Sequence, residues 1–233
     1  MALSHPKEAV LDSDYWTAEN YNVKWVWSNL SSTSKIKVSD LNAVSSMKFF
    51  LLTDLWGSLL LGYRYFRASY RLYGITGWQQ WEYDGPIVYF DTLQNVNICD
   101  YRLSYHLPYL GSRLEIGENI VGEFFWTPWA RTNDEINLLL RYKKGMANIK
   151  GKGWGGSIKG VLEIKKFSGG QKILTGGGYE LVRVNTKGTQ EQNFYGDDPG
   201  TPDENETGVC FFNIPDEIKL KQQSFNIFVS YTF

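Results

Sequence analysis

The chain has 233 residues, a formal net charge of -1 and a pI near 6.2. Without a surplus of Lys and Arg it lacks the basic field that phosphate-backbone binding requires, and no nucleic-acid partner is expected. Aromatic residues make up 16% of the chain, yet the mean hydropathy is -0.34, and the best apolar run, Phe49 to Tyr63, is cut by Asp54. No segment approaches the roughly 20 apolar residues of a transmembrane helix. A transmembrane β-barrel produces this pairing, because every second residue of each strand faces a polar interior while aromatics collect at the two interfaces.

In chain order, residues 1–35 are expected to be an irregular extracellular start and residues 36–233 the strands of one barrel domain. The opening ten residues contain no apolar h-region, so no signal peptide is visible. Tyr21, Val23, Trp25 and Trp27 alternate with Asn22, Lys24 and Ser28, enough for one additional strand. From about Ile36 to Leu52, Leu41, Ala43, Met47, Phe49 and Leu51 share one face, with Asp40, Asn42, Ser46 and Lys48 on the other. After a short turn at Asp54 to Gly57, Leu59, Leu61, Tyr63 and Tyr65 oppose Ser58, Gly62 and Arg64. A long connection, roughly Gly74 to Asn97, leads to Tyr101, Leu103, Tyr105, Leu107 and Tyr109, which alternate with Arg102, Ser104 and a His106 expected in the lumen.

A tight turn near Gly117 to Asn119 starts the return, with Ile120, Phe124 and Trp126 expected outside and Glu123, Thr127 and Arg131 inside. Trp154, Ile158, Leu162 and Ile164 then oppose Ser157, Lys159 and Glu163 before a Ser168-Gly169-Gly170 turn and a strand holding Ile173, Tyr179 and Leu181. The longest loop, about Thr186 to Glu217, precedes a last strand at Ser224 to Phe233, which sets Phe225, Ile227, Val229, Tyr231 and Phe233 against Asn226, Ser230 and Thr232.

Short turns alternating with long polar loops, and a terminal outward aromatic, indicate an all-β antiparallel transmembrane barrel with seven or eight visible strands. A soluble lipocalin-like barrel would bury its aliphatic residues and would rarely hide Lys48, Glu123, Lys159 and Glu163. An odd strand count leaves an open edge, so either the Tyr21 to Trp27 segment completes the wall or strands lie upstream of Met1. A lumen mixing Lys48, Arg102, Glu123, Lys159 and Glu163 is expected to plug itself with ion pairs, which disfavours a pore. Cys99 and Cys210 fit no metal site; both fall at the extracellular end and form a candidate disulfide. The Gly151 to Gly156 run has the wrong spacing for a phosphate loop, and no cofactor or metal is expected.

Three stretches resemble the omptin family of outer-membrane proteases. The longest runs from about Asp100 to Glu163, carrying Tyr101 through Tyr109-Leu110-Gly111, then Trp129 and Asn133-Asp134-Glu135, in the family's order and at similar spacing. Gly62-Tyr63 through Arg67 is similar to the family's strand whose outward residues contact lipopolysaccharide, and Leu11-Asp12-Ser13-Asp14-Tyr15 is similar to the acidic pair of its second extracellular loop. The resemblance implies a ten-stranded barrel in a bacterial outer membrane, of which this chain covers strands four to ten.

It also implies an extracellular cleft in which two carboxylates face an Asp–His couple that activates a water for attack on a peptide bond. Asp12 and Asp14 match the acidic pair and Asp134 the orienting Asp, while the His position is Ile136, which cannot accept a proton. Loss of such a base costs about 10² to 10⁴ in rate. The expectation is weak or no endopeptidase activity, with Tyr63, Tyr65 and Arg67 at the lipid or lipopolysaccharide headgroups. The alternative is a non-enzymatic surface protein whose extracellular loops bind a peptide or a host surface.

Overall fold

Period-two alternation runs along stretches far longer than the 9–11 residues that cross a bilayer, and the backbone follows it. The computed structural model describes residues 3–4, 8–17, 24–80, 87–90, 96–117, 119–166, 172–198 and 205–232. Ten antiparallel strands make one sheet: β1 (Leu3–Ser4), β2 (Glu8–Thr17), β3 (Lys24–Leu52), β4 (Leu55–Gln80), β5 (Ile87–Phe90), β6 (Asn97–Ile116), β7 (Ile120–Leu138), β8 (Lys143–Lys166), β9 (Lys172–Phe194) and β10 (Cys210–Thr232). The neighbour order is β1-β3-β4-β6-β7-β8-β9-β10, with β2 also against β3 and β5 also against β4.

The sheet curls until side chains of distant strands meet inside it. Arg64 of β4 donates to Glu180 of β9 at 2.8 Å, and Gln222 of β10 donates to Asp40 of β3 at 3.5 Å. At one end the turns are tight: Asp54 and Gly117 both take positive φ, and the Gly117 N–H bonds the Asp54 carbonyl at 2.6 Å.

The long strands from β6 to β10, and β4, reverse their polarity part-way along. Near the tight turns the outward face is apolar, as with Leu59 and Leu61 on β4, Leu114 on β6, Phe124 on β7, and Ile158 and Leu162 on β8. Phe225, Ile227 and Val229 of β10 are 71%, 73% and 72% exposed. A contiguous band of this kind exceeds what a soluble monomer presents to water. From Trp154 to Ile164, ten steps of about 3.3 Å at the tilt of a barrel strand give a height of about 25 Å, that of an outer-membrane apolar band.

Beyond this band the outward face turns polar and the inward face apolar. Phe66, Ala68, Leu103, Tyr105, Leu107, Tyr109, Ala130, Val182 and Val184 form a dry core there. Here the apolar residues point inward, as the hydrophobic effect drives them in a water-facing barrel.

Between the zones lies an ion-pair layer. The Arg64 side chain, 5% exposed, forks to Asp40 (Nε at 2.8 Å, with a second contact through Nη2) and to Glu180 (2.8 and 3.1 Å). Nearer the tight turns, Arg113 pairs with Glu123 at 2.6 Å and Lys48 with Glu115. Glycine makes room for rings here: a Cβ on Gly62 would stand 2.2 Å from the Tyr109 ring, whose hydroxyl donates to Asn42 at 2.9 Å.

Several expectations need correction. Residues 1–35 are not an irregular start, since β2 spans Glu8–Thr17 and β3 begins at Lys24, absorbing what was expected to be a separate eighth strand. Most of the expected long loops are strand: β4 runs to Gln80, β9 to Phe194, and β10 starts at Cys210 rather than Ser224. On β6 the faces are the reverse of those expected, with Tyr105, Leu107 and Tyr109 buried inside and His106 and Arg102 outside, because this stretch lies beyond the apolar band.

Arg131 also faces out. The β7 register slips between Thr127 and Ala130, a bulge at Pro128-Trp129 that shifts the alternation by one. Pro128 has no N–H to lose from the ladder, which makes it suited to that position. The Ser168-Gly169-Gly170 turn, His5 and Phe233 lie outside the described residues.

Candidate functional site

The dry core ends, toward the wide loops, in a cluster of tyrosines and carboxyls. Tyr70 of β4, Tyr101 and Tyr105 of β6, Asp134 of β7, Gln190 of β9 and Asp216 of β10 all project inward. The Tyr70 and Tyr101 rings are 5.5 Å apart. Asp134, 6% exposed, accepts from Tyr101 and from Gln190 Nε2 at 3.4 Å, while its Oδ1 has no hydrogen-bond partner. Asp216 Oδ2 and the Tyr105 hydroxyl are also buried without partners.

Burial pushes the Asp134 carboxyl above its ordinary range. The Tyr101 hydrogen bond opposes the shift and the charge of Asp216 adds to it. Asp216 is raised as well, chiefly by burial, and Tyr101 and Tyr105 are raised by burial and then by neighbouring charge and phenol groups. Two carboxyls of this kind, with acceptor oxygens left unbonded among aromatic rings, are suited to receive an ammonium or guanidinium group. Among the described residues no imidazole joins them: Ile136 follows on the same face of β7, against Gly145.

Asp12 and Asp14 lie on β2, not in a loop, opposite Leu30 and Ser28 of β3. The hydrogen-bonded row through Asp134 runs Ala147, Leu103 and Ala68 to Val38 of β3, whereas Asp12 meets β3 at Leu30. Along β3, Asp12 thus pairs eight residues and Asp14 ten residues from the row of Asp134.

Tyr63, Tyr65 and Arg67 are on the outer wall at the edge of the apolar band. Tyr63 Oη is 2.5 Å from His106 Nδ1, the Tyr65 ring centroid is 5.1 Å from that of His106, and Asn133 Nδ2 is 3.4 Å from His106 Nε2. Tyr63, His106 and Asn133 border, with Trp129, Arg131 and Asn148, an external hollow of about 400 Å³. The sequence reading missed His106 and Arg131 here, and Tyr101, Tyr105, Gln190 and Asp216 inside. Pro128 in mid-strand was the one available signal.

The candidate disulfide is overturned: both thiols are free, Cys99 buried and Cys210 exposed. Cys210 shares its row with Asn193, Lys144, Asn137 and Asp100, four strand spacings or about 19 Å of wall from the strand of Cys99, and a disulfide needs Cα atoms within about 7 Å. Burial and the adjacent Asp100 push the Cys99 thiol up to about 11.

A barrel with an apolar outer band, a buried apolar core toward one end and a central ion-pair layer has the fold of omptin-like outer-membrane β-barrels. The comparison that carries this is with the solved structure of the outer membrane protease OmpT from Escherichia coli. It superposes with a TM-score of 0.66 over 95% of this chain and 71% of that one, at 14% sequence identity. No family model and no curated protein sequence matches the chain.

Proposed function

We propose that the chain is an omptin-like surface protein of a bacterial outer membrane that binds cationic peptide segments at the mouth of its barrel and has weak or no endopeptidase activity. The observation that supports this best is the placement of the histidine. His106 stands on the outer wall between Tyr63 and Asn133, while the lumenal carboxyls Asp134 and Asp216 have Ile136 where a base would be needed. Among the described residues no imidazole stands at the recess to take a proton from water, so it can hold a cation but does not activate a nucleophile efficiently. Tyr63, Tyr65 and Arg67 contact lipid or lipopolysaccharide headgroups in this reading, with rings at the interface and the Arg fork toward phosphate. The exposed loop ends leave a host-surface ligand as the other partner class.

The test uses the protein refolded with lipopolysaccharide and a fluorogenic dibasic peptide. Saturable binding that weakens in Asp134→Asn, with cleavage at or near background, is expected. Robust cleavage abolished in Asp134→Asn or Asp12→Asn would overturn the non-catalytic reading.

A further inference from the structure

A second feature of the outer wall lies around the barrel from Tyr63 and Arg67. Trp126 of β7, Trp154 of β8, Arg183 of β9 and Lys221 of β10 occupy one hydrogen-bonded row and all point outward. Two residues further from the apolar band, Lys152, Asn185 and Lys219 form the next outward row. Directly opposed residues have Cβ atoms about 5 Å apart, so four cations converge beside two indoles. The Arg183 guanidinium lies over the Trp154 ring, 5.5 Å from its centroid.

These residues line a hollow of about 710 Å³ with no carboxylate in its lining. Lys219 shares Glu217 at 3.2 Å, but among the described residues no acid pairs with Lys152, Arg183 or Lys221. Several other outward cations are paired with acids: Arg102 with Glu135, Arg71 with Asp100, Lys187 with Glu217. Four close cations with one shared carboxylate repel one another unless an anion joins them.

The level of the hollow identifies the anion. Trp154 is the last outward aromatic of the apolar band on β8, with Trp126 beside it on β7, at the level where indoles sit at a headgroup boundary, and the cations stand alongside and just beyond them. We propose that Lys152, Arg183, Lys219 and Lys221, with Trp126 and Trp154, form a binding site for the anionic phosphate headgroup of a lipid in the surrounding leaflet. Arg183 supplies a fork and the lysines point charges for phosphate oxygens, while the indoles pack on the glycerol or sugar below. The site rests on the membrane reading above and is separate from the Tyr63–Arg67 wall.

The experiment places the whole chain in bilayers of neutral phosphatidylcholine, with or without a lipid bearing an anionic phosphate headgroup, and counts retained anionic lipid by mass spectrometry after gentle release. Arg183→Gln/Lys221→Gln is compared with wild type and with Arg102→Gln, an outward cation already paired with Glu135; all three changes are on the exposed wall, and circular dichroism checks that each barrel folds. Neutralising two headgroup-level cations is expected to weaken retention about thirtyfold, with Arg102→Gln retaining the lipid lost by the double variant and inorganic phosphate failing to displace it. Equal retention by the double variant and wild type overturns the site, as does displacement by inorganic phosphate at the concentration of the lipid. A chain that inserts into neither bilayer overturns the membrane reading and this site together, whereas insertion without discrimination overturns the site alone.

Discussion

Replacing Arg64 by Met tests whether the ion-pair layer holds the barrel together. Met preserves most of the side-chain volume but removes every donor from a guanidinium whose side chain is 5% exposed. Asp40 and Glu180, 29% and 28% exposed, are then left facing each other across the lumen without their shared cation. Breaking a buried pair by deleting one partner costs about 3–5 kcal/mol, and the partial water access of both carboxylates places the expected loss near the lower end, at about 3 kcal/mol. Urea unfolding of the protein refolded in lipid vesicles, followed by tryptophan fluorescence, measures it. Adding Asp40→Asn and Glu180→Gln to Arg64→Met removes the orphaned charges, so the triple variant should recover about 2 kcal/mol relative to the single one. A loss below about 1 kcal/mol in Arg64→Met, or a triple variant no more stable than the single one, would refute the assignment of this layer as the tie between β3, β4 and β9.

Folding raises the pKa of Asp134 above the ordinary 3.8, so its contribution to stability is fully present below that value and is lost as pH climbs through the folded-state pKa. Asp134→Asn, which can still accept from Tyr101, should therefore be more stable than wild type at neutral pH and lose that advantage in acid; urea titrations across that range check the crossover. With its thiol raised to about 11 and its side chain buried, Cys99 should resist alkylation in the folded barrel while Cys210 reacts. Intact-mass measurement should show one adduct before unfolding and two after, and a disulfide would give none. Gly62→Val drives a side chain into the Tyr109 ring and should destabilise the barrel by about 1–3 kcal/mol, whereas the same change at Gly122, whose Cβ position is open, should be near neutral in the same unfolding assay.

The outward faces of the apolar band were legible in the sequence. Leu59, Leu61, Ile158, Leu162, Phe225 and Ile227 all point where period-two alternation places them, because a side-chain period of two fixes the face of every residue once the register is set. Inside that band, Asp40, Lys48, Glu123 and Lys159 were read correctly as lumenal, and their partners are found there. Reading failed beyond the band. Tyr101 to Tyr109 alternate as cleanly as the segments within it, but there the same pattern points apolar residues inward, and nothing local to β6 marks the crossing.

Alternation, composition and turn spacing by themselves determined that this chain forms an antiparallel barrel with an apolar outer band. Tertiary structure alone decided the contents of the mouth. Simple alternation from Phe124 and Trp126 would put Asp134 on the outer wall; the bulge at Pro128-Trp129 shifts the parity by one and turns it into the lumen. There it meets Tyr101, Gln190 and Asp216, contributed by strands 33 to 82 residues away in the chain. Register is a property of paired strands, and one unpaired residue reverses every side chain after it.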